Sequence, residues 1–143
     1  MSFLKDQLEK NIIPAEMLIF EITETAAISN FMGAVKFIKF FKKRGCKFAL
    51  DDFGCGMSSF QYLNELPLDY LKIDGSFVKG INDNPFNKSI IQSISQIGHS
   101  INLEIIAEFV ENEEILKQLD KNLIDYTQGY AIEHPRSIDI LLS

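Results

Sequence analysis

The stretch KFALDDFGCG (Lys47–Gly56) runs from apolar residues straight into two carboxylates and then a glycine-rich loop. Phe48, Ala49 and Leu50 have the character of a short buried strand. Asp51 and Asp52 follow at once, with Gly54 and Gly56 behind them. Adjacent ionised carboxylates repel each other, and a divalent cation is the usual compensation. A solvated strand end entering a turn explains the same residues, because Asp and Gly are ordinary turn formers. Both readings stand until the neighbouring segments are placed.

Working outward, the chain alternates strand and helix patterns. Residues 2–10 read as the end of an amphipathic helix bearing Phe3, Leu4 and Leu8, stopped by Pro14. Met17–Ile22 is a near-continuous apolar run that fits a strand buried on both faces. Ser29 or Asn30 caps a helix with Phe31, Ala34, Ile38 and Phe41 at helical spacing, ended by Gly45. After the strand Lys47–Asp51, Ser58-x-x-Gln61 has the form of a capping box for a short helix with Phe60 and Leu63. Tyr70–Asp74 is a third strand, and the segment Gly75–Asn87 reads as a long connecting loop. Ile90, Ile94, Ile97 and Ile101 mark one helical face. Leu103–Ala107 is a fourth strand ending at Glu108, and Asn112 caps a helix with Ile115, Leu116 and Leu119. Ile124–Gln128 is a short fifth strand, and the tail Pro135–Ser143 starts a further helix. Strand and helix in alternation, joined by short turns, predict an α/β fold with a parallel sheet. An open doubly wound sheet and part of a (β/α)8 barrel both satisfy the pattern.

Composition bounds the function. A chain of 143 residues with 46% hydrophobic residues, 12 of them Phe, supports one globular domain with a sizeable core. Acids outnumber bases 20 to 14, a net charge of −6, and no basic cluster suits duplex nucleic acid, so DNA is not an expected partner. The basic tract Lys36–Arg44 is interleaved with Phe37, Ile38, Phe40 and Phe41, as on the wet face of an amphipathic helix. No apolar run approaches a membrane span and MSFLKDQLEK is not a signal peptide, so a cytoplasmic setting is expected. Cys46 and Cys55 lie beyond opposite ends of the strand Lys47–Asp51, roughly 25–30 Å apart along an extended chain, which excludes a disulfide on that reading. Neither a P-loop nor a dinucleotide-binding glycine fingerprint is present.

The main functional signal is what gathers at the strand ends. In parallel α/β architectures the carboxyl ends of the strands share one face, where ligands bind. That face collects Glu21, Asp51, Asp52, Lys72, Asp74, Glu108 and Gln128. Lys72 is embedded between Leu71 and Ile73, so it must be paired with acids if it is buried. Several carboxylates with oxygen ligands only suit Mg2+ or Mn2+ and metal-assisted phosphodiester hydrolysis. A network of strand-end salt bridges around Lys72 is the plainer interpretation. His99 and His134 read as structural or exposed, and Tyr62, Tyr70 and Tyr126 as core or rim residues.

The succession EITE (Glu21–Glu24), DDFGCG (Asp51–Gly56), LKIDGSFV (Leu71–Val78), IIAEFVEN (Ile105–Asn112) and TQGY (Thr127–Tyr130) resembles the EAL domain family across almost the whole chain. That resemblance implies a modified TIM barrel and the hydrolysis of cyclic di-GMP to the linear dinucleotide by a site with two Mg2+ or Mn2+ ions. It implies metal binding by Glu21, Asp51, Asp52 and Glu108, and contact of Lys72 with the catalytic water. Glu111, Gln128 and Asp74 then take supporting or substrate-binding places. The namesake Glu-Ala-Leu motif does not occur, so residues 1–143 are expected to be the C-terminal part of such a domain: about five strands of the barrel, inactive alone and prone to form homo-oligomers. A sensor or diguanylate cyclase domain is a possible attachment in the parent protein. Phe109 stands where the family usually has Gly, and Cys55 where it usually has Thr. The first departure admits a second reading, a non-catalytic domain that binds cyclic di-GMP or a protein partner.

Overall fold

A computed structural model describes residues 2–9, 14–54 and 60–137. Its elements in chain order are α1 (Ser2–Glu9), β1 (Ile19–Thr23), α2 (Glu24–Ser29), α3 (Phe31–Lys42), β2 (Lys47–Phe53) and α4 (Phe60–Leu63). There follow β3 (Tyr70–Ile73), α5 (Gly75–Lys79), α6 (Pro85–Ser100), β4 (Glu104–Ala107), α7 (Glu113–Leu119) and β5 (Tyr126–Thr127). All strand pairs are parallel and the sheet order is β1-β2-β3-β4-β5. A doubly wound sheet reverses its strand order at a switch point. This sheet never reverses, so the open choice resolves to an arc of a (β/α) barrel.

Side-chain alternation divides the sheet into two unlike faces. Leu50, Leu71 and Ile105 pair across β2, β3 and β4 and are fully buried under the helices. Phe20 of β1 joins Phe48, Phe37 and Phe41 in an aromatic cluster whose closest ring centroids are 4.8 Å apart. The hydrophobic core thus lies between the outer sheet face and α3 and α6. Residues of opposite parity, Glu21, Ala49, Asp51 and Lys72 among them, belong to the inner face.

Several expectations shift. The first strand is Ile19–Thr23 rather than Met17–Ile22, and it is not buried on both faces: Ile19 is 48% exposed. It is one of the two edge strands of the sheet. An unexpected helix, α2, begins directly after it, its N-cap Thr23 accepting from the Ala26 N–H. Asn30 rather than Ser29 caps α3. The segment read as a long loop, Gly75–Asn87, instead contains α5 and the start of α6, capped by Asp74 and Asn84. The buried face of α6 is centred on Ile91, Ile94, Ser95 and Gly98, slightly rotated from the isoleucine stripe, and Ser95 is accommodated there because its hydroxyl donates to the Ile91 carbonyl. The regular part of β5 is only Tyr126–Thr127, although backbone bonds from Asp125 to Ile105 and from Gln128 to Ala107 extend its pairing. Residues 135–137 are not helical. Residues 138–143 of the expected tail helix, Ser58 of the capping box and Cys55 lie outside the described residues. Cys46 is a free, buried thiol, and burial raises its pKa.

Candidate active site

Lys72 is the centre of the inner face. It projects from the middle of β3, and its residue is only 2% exposed. Its ammonium lies 2.8 Å from Glu21 on β1, 3.1 Å from Asp51 on β2 and 2.8 Å from Glu108 just beyond β4. Three strands therefore deliver one carboxylate each to one cation. Burial alone pulls the Lys72 pKa down, but hydrogen bonds to Glu108, Glu21 and Asp51 outweigh it and raise the pKa above that of an ordinary lysine. Lys72 stays protonated across the neutral range.

A tighter acidic group overlaps this network. Carboxylate oxygens of Asp51, Asp52 and Glu108 lie within 4.8 Å of one another. Asp52 joins it through a local distortion: its φ is 57°, in the left-handed region, and the pairing of β2 with β3 shifts between Leu50 and Phe53. The Asp52 N–H donates to the Asp51 carboxylate. Burial, then the charges of Asp51 and Asp74, raise the Asp52 pKa. Burial also raises that of Glu108, against the opposing pull of Lys72. Hard oxygen donors at this spacing suit a divalent cation, and the Lys72 charge offsets the same repulsion.

The remaining expected residues divide. Glu21 reaches the cluster through Lys72 but stays outside the three-carboxylate group, with its side chain 49% exposed at the sheet edge. Glu111 pairs with Lys79 at 3.1 Å, and with Glu108 and Gln128 it lines a hollow of about 240 Å³. Gly129 makes the turn beyond Gln128, because a Cβ there would fall 2.3 Å from the Val110 nitrogen. Asp74 accepts from the Ser76 N–H as the cap of α5 and acts on the cluster through its charge on Asp52. Phe109, with φ of 54°, lays its ring against Gly75 and under the Lys79 ammonium.

Sequence reasoning missed two partners. Glu24, the second acid of EITE, is buried and accepts from the Tyr62 hydroxyl and the Gly54 N–H, joining α2 to the loop after β2 and to α4. Its place one residue beyond β1 was the available signal. Lys79 had none, since it fell in the segment read as loop. The two histidines are peripheral: His99 pairs with Asp125 at 2.7 Å and His134 stacks on Tyr130.

Comparison with known proteins places this geometry. The sequence profile of the EAL domain matches residues 1–135. Cyclic di-GMP phosphodiesterase PdeA of Borreliella burgdorferi is 48% identical over 136 residues, covering 95% of this chain and 20% of that protein. The structure of the PaMucR phosphodiesterase in complex with c-di-GMP superposes with a TM-score of 0.89 at 29% identity, covering 96% of this chain and 56% of that one. BlrP1 of Klebsiella pneumoniae, as a manganese/cy-diGMP complex, gives a TM-score of 0.83 at 28% identity, covering 91% of this chain and 33% of that one. The chain thus spans a fifth of the curated relative and about half of the first structure. A profile match running through every strand, and through each residue around Lys72, makes the chain a member of the EAL domain family.

Proposed function

We propose that this chain is the C-terminal part of a cyclic di-GMP phosphodiesterase domain, hydrolysing the cyclic dinucleotide to linear pGpG, and that residues 1–143 alone are nearly inactive. The observation that carries the reading is the meeting of Glu21, Asp51 and Glu108 on Lys72, with Asp52 completing a group of close carboxylates. Asp51, Asp52, Glu108 and, from the edge, Glu21 are the residues that would hold two Mg2+ or Mn2+ ions. When bound, such ions lower the pKa of a coordinated water and neutralise charge on the phosphodiester.

The protein's own groups then divide the work. Lys72 is locked as an ammonium, so it serves as a hydrogen-bond donor that orients the attacking water and steadies phosphoryl charge, never as a base. Glu108, whose affinity for a proton is raised by burial, accepts the proton of that water. The water oxygen bonds to phosphorus, the bond from phosphorus to one ribose 3′ oxygen breaks, that oxygen takes up the proton Glu108 has accepted, and the ring opens. Asp74, Glu111 and Gln128 support the loops and the substrate around this point.

Chromatography of cyclic di-GMP incubated with Mn2+ tests the proposal. The full-length protein is expected to yield the linear dinucleotide and residues 1–143 almost none. Absence of both binding and turnover in the full-length protein would refute it, and binding without turnover would favour the non-catalytic reading. The free buried Cys46 supports a reducing, cytoplasmic setting. The exposed edge of β1 supports self-association.

A further inference from the structure

We propose that the outward face of α3 is a docking surface for an anionic lipid bilayer, bound reversibly through Lys36, Lys39 and Lys43. The charges of this chain are unevenly placed. Residues 25–50 carry six of the 14 bases and none of the 20 acids, although the whole chain has a net charge of −6. Charge asymmetry of this size points to a polyanionic partner or surface. The six bases lie on α3, just past its C-terminal end and at the start of β2.

Helical geometry aligns part of this charge. Met32, Lys36, Lys39 and Lys43 follow one another at spacings of four, three and four, which sets them on one stripe about 16 Å long. The stripe stands opposite Ile38 and Phe41, the buried residues of α3, so it faces solvent. All four residues are exposed, Met32 by 65%. Among the described residues, none of the three lysines has an ion-pair partner. Two acids border the patch. Asp69 is neutralised by Lys42 at 2.7 Å. The Glu16 carboxylate lies 3.8 Å from where a Gly45 Cβ would stand, and it pairs with none of the stripe lysines.

The chemistry favours a bilayer over a nucleic acid or an acidic peptide. The free charges are ammoniums, point charges without the planar fork by which arginine grips phosphate or carboxylate through two bonds. Arg44, the guanidinium at this end of the helix, is already engaged with Phe40: it donates to the carbonyl at 2.8 Å, and its Cζ lies 3.7 Å from the ring centroid. The first turn of α3, Phe31-Met32-Gly33-Ala34, offers no side chain that hydrogen-bonds a base edge. Its exposed Met32 instead gives the stripe an apolar end, suited to the boundary of the acyl chains while the lysines stay among the phosphates. No helix among the described residues is long and apolar enough to cross a membrane, so the contact is peripheral. α3 covers the outer face of the sheet, whereas Glu21, Asp51 and Glu108 meet Lys72 on the inner face. A bilayer laid against α3 therefore leaves the carboxylate cluster open.

Co-sedimentation of the full-length protein with vesicles tests the proposal. Each lysine near an anionic surface is worth about 5-fold in partitioning. The combined variant Lys36→Gln, Lys39→Gln, Lys43→Gln should therefore bind vesicles of mixed phosphatidylglycerol and phosphatidylcholine about 100-fold more weakly than wild type. Replacing the same three lysines by Arg keeps the charge, and binding should stay within about 3-fold of wild type. All three positions are exposed, so thermal unfolding of both variants should match wild type. The phosphatidylglycerol-dependent part of the binding should fall as NaCl rises from about 0.1 to about 0.5 M. Equal partitioning of wild type and the Gln variant overturns the proposal, as does a wild type with no preference for phosphatidylglycerol over phosphatidylcholine alone. Tighter, lysine-dependent binding of a single-stranded oligonucleotide at the same salt also overturns it, by assigning the stripe to nucleic acid. None of these readings depends on turnover of cyclic di-GMP, so the docking surface and the proposed function fail separately.

Discussion

The Lys72 ammonium stands 2.8 Å from the Glu108 carboxylate, a contact between adjacent strands with only 3% and 12% of the two side chains exposed. The same cation is shared with Glu21 and Asp51, so its removal leaves three acids facing one another. Lys72→Met keeps the apolar stem and deletes the charge. We expect it to lower stability by about 3 kcal/mol, the lower end for breaking a buried pair, because Glu21 is half exposed. Mn2+ should raise the melting temperature of this variant more than that of the wild type, since the ion replaces the missing charge. Thermal unfolding with and without Mn2+ measures both.

Asp52 presents the opposite balance. Its proton affinity is raised by burial and by Asp51 and Asp74, so its charge is unwelcome in the metal-free fold. Asn tolerates its left-handed backbone equally well. Asp52→Asn should therefore raise metal-free stability by about 0.5 kcal/mol while weakening Mn2+ binding more than 10-fold. Denaturant melts and calorimetric Mn2+ titration give the two readings.

Gly75 and Phe109 should be coupled. Gly75→Ala places a methyl group 2.1 Å from the Phe109 ring, and we expect it to cost about 1–3 kcal/mol. In Phe109→Gly the same alanine should be nearly neutral. A double-mutant cycle by urea unfolding yields the coupling energy, expected to account for most of the single-variant loss.

Tyr62 gives a pH dependence. Burial and its hydrogen bond to Glu24 raise its pKa in the folded state above the ordinary 10.0. Above that pH the unfolded chain releases this proton first, so it binds fewer protons than the native state and stability falls as pH rises. The contribution is fully present below pH 10 and is lost as pH climbs toward the folded value. Tyr62→Phe should be less stable at pH 7 and show a shallower alkaline decline, measured by urea unfolding between pH 8 and about 11.

Self-association is the fifth expectation. β1 is an open edge with Ile19 half exposed, and edges of this kind invite pairing. Light scattering of residues 1–143 at micromolar concentration should give a mass above 16.3 kDa. A stable, well-folded monomer would contradict it.

The strands and the acids at their ends were legible because two periodicities are written plainly into the chain. Leu71-Lys72-Ile73 could only be a buried strand with a cation to be neutralised, and Asp51, Glu21 and Glu108 were the acids at hand. The position of Asp52 was not legible, since strand parity does not foresee a residue at φ 57°. The helical character of α5 was hidden by its five-residue length, too short for a period to register. Glu111 and Asp74 were recognised as relevant acids, but their partners Lys79 and the Ser76 N–H follow from that missed helix. Burial on both faces failed for β1 because composition cannot say which strand is at the edge.

The alternation of Leu71, Lys72 and Ile73 has a consequence for quality control. A slip of one position in β3 would drive the ammonium into the helices and bring two aliphatic side chains among the carboxylates. Such a molecule would lose its core and its chemistry together. Any copy that passes the cell's tests of folding has thereby already aligned Lys72 with its carboxylates, and a misassembled copy exposes itself to degradation.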